Sequence, residues 1–188
     1  MTLDVSLPQA FQAVIDKDEK VLWAGKPAGL PFLISGIPFL FFGCCWGAFD
    51  YFGFIRRMGG KGGFPLGIAI PFFAIHLIPF WGSILNMFRL VLVVGNTYYA
   101  VTPKRLLIRS GFWGTDFRSI DLDQIANLEV SVNPIENASG VGSIRFYSKT
   151  PSANGGRVSL ATFVGVGSPY DVFKLAKQAH DGLALKVA

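Results

Sequence analysis

Leu30–Phe49 (LPFLISGIPFLFFGCCWGAF) and Phe64–Phe88 (FPLGIAIPFFAIHLIPFWGSILNMF) are the stretches whose reading decides the fold. The first holds no charged side chain in 20 residues. As a helix rising about 1.5 Å per residue it reaches about 30 Å, the hydrocarbon thickness of a bilayer. The second has 25 residues, with only His76 and Asn86 strongly polar. It exceeds a straight crossing, so tilting or kinking at Pro71 and Pro79 is expected. Between the two lies the short cationic insert Arg56-Arg57-Met58-Gly59-Gly60-Lys61-Gly62-Gly63. The pattern predicts a membrane hairpin of two spans. The competing reading is a buried helical pair, but a chain of 188 residues has too little else to wrap two long apolar helices on all sides.

Working outward, the chain divides into an N-terminal segment 1–29, the hairpin 30–88 and a domain 89–188. The last carries a net charge of +4 and the N-terminal segment −1, so the basic surplus sits in the domain, where it favours contact with anionic headgroups. Cys44 and Cys45 are adjacent inside the first span, a placement unsuited to a disulfide or a metal cage. No cleavable signal peptide is expected, because the N-terminal stretch is acidic and the apolar run starts late. Near the membrane, Lys17, Lys20, Lys26, Arg89, Lys104 and Arg105 flank the two ends of the hairpin, against Arg56, Arg57 and Lys61 in the insert. The larger total favours termini inside, while the insert is the denser in positive charge.

Leu7–Ile15 has helical spacing and reads as a short amphipathic helix, lying either at the membrane surface or against the domain. Val21-Leu22-Trp23 reads as a brief extended piece, with Trp23 either at headgroup level or in a core. After the hairpin the pattern becomes β: Thr97–Thr102, Arg105–Arg109, Thr115–Leu122, Ile125–Val132, Ser143–Ser148 and Arg157–Phe163. These make six strands, and a seventh if Val91–Val94 pairs. Gly140-Val141-Gly142 and Gly165-Val166-Gly167 are too short for a nucleotide loop and read as turns. Ser168-Pro169-Tyr170-Asp171 opens a terminal helix with Val172, Leu175, Ala176, Ala179 and Leu183 on one stripe. Strands closed by one helix indicate an α+β domain.

Four passages then acquire a common meaning: Asp18-Glu19-Lys20-Val21-Leu22-Trp23-Ala24-Gly25-Lys26-Pro27, Tyr99-Ala100-Val101-Thr102-Pro103-Lys104-Arg105-Leu106-Leu107-Ile108-Arg109-Ser110-Gly111, Ser119-Ile120-Asp121-Leu122 and Gly140-Val141-Gly142-Ser143-Ile144. In order and spacing they resemble bacterial membrane-flanked proteins with a pleckstrin-homology-like (PH-like) domain. The resemblance implies a partly open antiparallel β-barrel of seven strands capped by the C-terminal helix, with both termini cytoplasmic and no established catalytic residues. The cationic insert between the spans departs from that pattern.

For function, Lys104, Arg105 and Arg109 together with Arg89 are the candidate lipid or anion contacts, since residues 105 and 109 share a strand face beside a hairpin tip. His76 is the one ionisable group noted within the spans and is expected to lack an acidic companion; His180 is expected to be solvated. Two distant histidines and two membrane cysteines assemble neither a metal cluster nor a Cys–His pair. The expectation is a non-enzymatic interaction or scaffolding module at the inner leaflet, with no cofactor, metal or nucleic acid. Its partners would be membrane lipids and a protein, or a second copy through Ser35, Gly36, Gly43 and Gly47. Rival functions are recognition of anionic headgroups and a small transporter or channel subunit using His76.

Overall fold

A computed structural model describes residues 11–57 and 65–187, with side chains as far as residue 182. The chain forms two compact units, one from Leu33–Val91 and one from the segments on either side of it.

The flanking segments build an α+β unit. Strands β1 (Trp23–Gly25), β2 (Tyr98–Val101), β3 (Arg105–Ser110) and β4 (Asp116–Asp121) form an antiparallel sheet in that order. A 3-10 turn at Leu122–Gln124 leads to a second antiparallel sheet of β5 (Ile125–Ser131), β6 (Val141–Ser148) and β7 (Ser159–Gly167). Alternation puts Val101, Leu106 and Ile108 of the first sheet and Ile144, Phe146 and Phe163 of the second into one core. Phe163 stacks on Tyr99 (4.5 Å between centroids) and Trp23 (6.2 Å) and meets Phe146 edge-on (5.0 Å). Trp23 therefore belongs to the core.

The seventh strand is β1, from the N-terminal segment, while residues 91–94 are helical. Ala28 N–H donates to the Gly165 carbonyl (2.7 Å) and Val164 N–H to the Tyr99 hydroxyl (3.2 Å), bridging the two sheets. Gly165 has φ +63° and lies inside β7, so the second Gly-Val-Gly is strand rather than turn. The terminal helix, Pro169–Val187, packs on β5, β6 and the 3-10 turn through Val172 and Ala176. Ser168 precedes it in a left-handed conformation (φ +48°), its carbonyl accepting from Asp171 and Val172 N–H. On the sheet's other face Phe11 is fully buried against Ala100 and Leu107, so β3 is covered on both sides. Residues 11–15 form a turn; the first part of the expected Leu7–Ile15 helix lies outside the described residues.

In the helical unit, prolines set where the helices break. The chain leaves β1 through helix α1 (Gly29–Ile34), turns at Ser35-Gly36 ahead of Pro38, and continues as α2 (Ile37–Gly53) and a 3-10 turn at Ile55–Arg57. The second apolar stretch is two helices, α3 (Leu66–His76) and α4 (Ile78–Asn96), parted at Leu77. Pro79 lacks the N–H that the Ile75 carbonyl would accept, and its ring crowds that carbonyl. Pro71, by contrast, sits inside α3 without ending it. Among the described residues, the two segments long and apolar enough to cross a membrane are therefore Ile37–Arg57 and Ile78–Asn96, displaced from the expected 30–49 and 64–88. Their large apolar side chains face outward, with Phe41 70%, Leu85 66% and Phe88 66% exposed, unlike the core helices of a soluble protein.

Gly36, Gly43 and Gly47 let α2 approach α4. A Cβ on them would meet Leu90, Ser83 and Phe80 respectively, so these glycines serve packing within the chain. One heptad beyond Gly43 lies Asp50, which is completely buried. His76 Nε2 stands 3.3 Å from its Oδ1, close enough for an ion pair though outside hydrogen-bond geometry. The ring stacks on Phe72 (5.1 Å), and the Trp46 indole donates to the His76 carbonyl (2.9 Å) at the helix break. The expectation that His76 has no acidic companion is thus corrected: Asp50 follows the first apolar run by one residue and lies inside α2.

His76→Leu removes the polar group that faces the buried Asp50 side chain, and leaving a buried polar group unpaired costs about 1–3 kcal/mol. We expect a clear loss of thermal stability of the detergent-solubilised chain by size-exclusion assay, and recovery in the double variant Asp50→Leu/His76→Leu. A double variant no better than the single one would show that the pair is not coupled.

Candidate functional site

The four cations singled out by sequence have different surroundings. Lys104 is exposed at the β2–β3 turn. Arg105 is drawn inward: its Nε donates to Glu19 Oε1 (3.1 Å), its Nη2 to Glu19 Oε2 (2.7 Å) and the Val14 carbonyl (3.1 Å), and Asp16 Oδ2 lies 3.5 Å away. Glu19 is buried and also accepts from the Thr102 hydroxyl (2.7 Å). The Arg105 guanidinium holds the Glu19 carboxyl down at about 2; burial opposes it, and the Thr102 hydroxyl and the Asp16 N–H assist. The same contact raises Arg105. Arg105 thus clamps the N-terminal segment to the β2–β3 strand pair, a charge-assisted pairing that takes up the donors a headgroup would need.

Arg109 lies four residues along β3, about 13 Å from Arg105. It stands opposite Tyr98 with its guanidinium over that ring (5.5 Å), and Lys26 Nζ approaches the same ring at 4.4 Å. Arg89 belongs to the helical unit, where its Nε and Nη2 donate to Asn86 Oδ1 (3.3 and 3.1 Å).

Chain direction gives these positions meaning. Strand β2 begins two residues after Asn96, the last residue of α4, and Lys26 stands three residues before α1. Tyr98, Lys26 and Arg109 therefore mark the end of the domain from which the chain passes into its helices, and the Lys104 turn marks the other. The β3–β4 turn belongs to the first end, because Asn96 Nδ2 donates to the Gly111 carbonyl (3.4 Å).

A second feature lies between β5 and the terminal helix. A cleft there is lined by Ala126, Asn127, Leu128, Phe173, Lys177, His180 and Asp181. Its β5 wall is the outer edge of the second sheet, with a register shift between Ile125 and Asn127 and the Leu128 N–H donating to Asn127 Oδ1 (2.9 Å). His180 is half-buried rather than solvated, its Nε2 2.9 Å from the Ile125 carbonyl and its Nδ1 3.2 Å from Asp181 Oδ1. Among the described residues, no three His, Cys, Asp or Glu side chains gather as a metal site. Cys44 and Cys45 are free thiols on the outside of α2. Burial pushes the Tyr99 hydroxyl up, against the Val164 N–H that it accepts.

Sequence reasoning counted Lys26 only among the membrane-flanking cations and passed over Tyr98, Phe112 and Trp113 as site residues. The available signal was the pair of aromatics between Gly111 and Gly114, at a turn too tight for core residues.

The family model described as Bacterial PH domain matches residues 50–178, more than half of the chain. The chain belongs to the bacterial PH domain family, whose domain is typically found in membrane proteins. No curated protein and no solved structure matches it.

The clamp has a pH signature. Glu19 is held below its ordinary 4.5, so its contribution is present above that value and is lost as pH falls through about 2. Glu19→Gln should lower the unfolding free energy of the detergent-solubilised chain by about 2–3 kcal/mol at neutral pH. That gap should close on acidification, as read by urea titration of the near-ultraviolet signal. A gap independent of pH would assign the loss to packing alone.

Proposed function

We propose that this bacterial PH domain is a non-enzymatic interaction or scaffolding module fixed to the inner leaflet. In this reading Ile37–Arg57 and Ile78–Asn96 cross the bilayer and both chain ends face the cytoplasm. The outward apolar side chains of those helices support the crossing. The observation that carries the interaction role is the outer edge of β5, which no strand among the described residues covers, beside the cleft under the terminal helix. An extended segment of a partner protein can add there as a strand, exchanging the local Asn127–Leu128 bond for its own carbonyl and seating a side chain against Phe173. Tethering raises the effective concentration of this edge for any partner in the same membrane, so a weak contact suffices. Headgroup recognition is the second reading. It is favoured by Lys26 and Arg109 meeting on Tyr98, rather than by the Lys104 turn.

A photoreactive residue placed at Asn127 or Lys177 of the full chain in native membranes should give discrete protein adducts that Leu128→Asp suppresses. The same residue at Lys104 should give none. Adducts confined to α2 or α3 positions would favour a helix-mediated assembly instead.

A further inference from the structure

The β3–β4 turn carries the most exposed large aromatic surface of the domain. Trp113 is 93% exposed, Phe112 45% and the nearby Phe117 41%. Gly111 and Gly114 close on each other so tightly that a Cβ on Gly111 would collide with the Gly114 carbonyl, and residues 112 and 113 are left at the tip. Scattered apolar residues on a surface need no explanation, but this group sits at a defined place. Helix α4 has 19 residues and reaches about 28 Å, so its final residue, Asn96, falls at headgroup level when the helix crosses. Gly111 is hydrogen-bonded to that residue, and Phe112 and Trp113 follow at once.

The charges agree with the placement. Arg109 precedes the turn by two residues, and Lys26 shares the Tyr98 ring with it. Asp116, exposed on β4 opposite Ser110, is an acid at this end. A tryptophan whose apolar body enters the acyl boundary while its N–H stays among headgroups, flanked by Lys and Arg, is the chemistry of an interfacial anchor.

We infer that Phe112 and Trp113 insert into the lipid headgroup–acyl interface of the membrane that α4 crosses, with Lys26 and Arg109 against anionic headgroups. The domain thereby gains a non-covalent contact beside its covalent tethers. The inference rests on the reading of α4 as a span.

The test uses the full chain in nanodiscs of mixed phosphatidylcholine and phosphatidylglycerol. Subtracting the emission of Trp113→Phe from that of the unaltered chain isolates Trp113 from Trp23, Trp46 and Trp81. The expected Trp113 signal is blue-shifted, quenched by lipids brominated near the carbonyl end of the acyl chain and protected from aqueous iodide. Omitting phosphatidylglycerol, or introducing Arg109→Glu, should weaken the quenching. A Trp113 signal quenched by iodide and indifferent to brominated lipid would overturn the insertion while Trp46 and Trp81 still report embedded helices. Protection from iodide without lipid quenching would overturn it in favour of a protein cover. If no tryptophan responds to brominated lipid, the crossing itself fails and the inference with it.

Discussion

The pairing of β1 with β2 is the constraint on which the rest of the structure depends. Trp23 lies opposite Val101, Ala24 opposite Ala100 and Gly25 opposite Tyr99, so two strands separated by the whole helical unit run side by side. Neighbouring strands stand about 5 Å apart. The chain must therefore leave and return at nearly one point, and where it does so a Cβ on Gly29 would touch Val94. A helical insertion bound by that condition can cross a bilayer only an even number of times. Both ends of the helical unit then lie on one side of any bilayer it crosses, because a strand pair cannot span two aqueous compartments.

A three-residue strand is a slender attachment, and the Glu19–Arg105 clamp is what secures it. Folding brings the carboxylate out of water, and the energetic balance is favourable because the guanidinium and the Thr102 hydroxyl occupy both of its oxygens. Phe11 adds apolar cover on the same side, filling the face of β2 and β3 that alternation would otherwise leave wet. The N-terminal segment thus completes the domain as an edge strand, a plug and an ion pair. The family match begins at residue 50 and does not include this segment, which the structure ties to the matched part by hydrogen bonds.

Most of the strand order after Phe88 was legible, since alternation in Arg105–Arg109 and Ile125–Val132 survives as β3 and β5. What hid from the sequence were relations between distant residues. Glu19 and Arg105 are 86 positions apart, so Arg105 looked like a free surface cation on the strength of its strand face alone. Asp50 escaped because the apolar run was ended at Phe49, although Gly36, Gly43 and Asp50 repeat every seven residues and face one way. The helix breaks were placed imperfectly because a proline disturbs the carbonyl four residues earlier: the break shows at Leu77 and not at Pro79 itself.

The division of labour among the cations follows from the same geometry. Strand β3 carries Arg105 and Arg109 on one face, yet about 13 Å of strand separates an internal clamp from a position beside the helix junction. Each cation near an anionic leaflet is worth about 1 kcal/mol, so two of them add little against free diffusion. For a domain already held by two covalent connections they need only choose an orientation. In the proposed reading, a preference of that size is enough to bias which face the domain turns to the lipid.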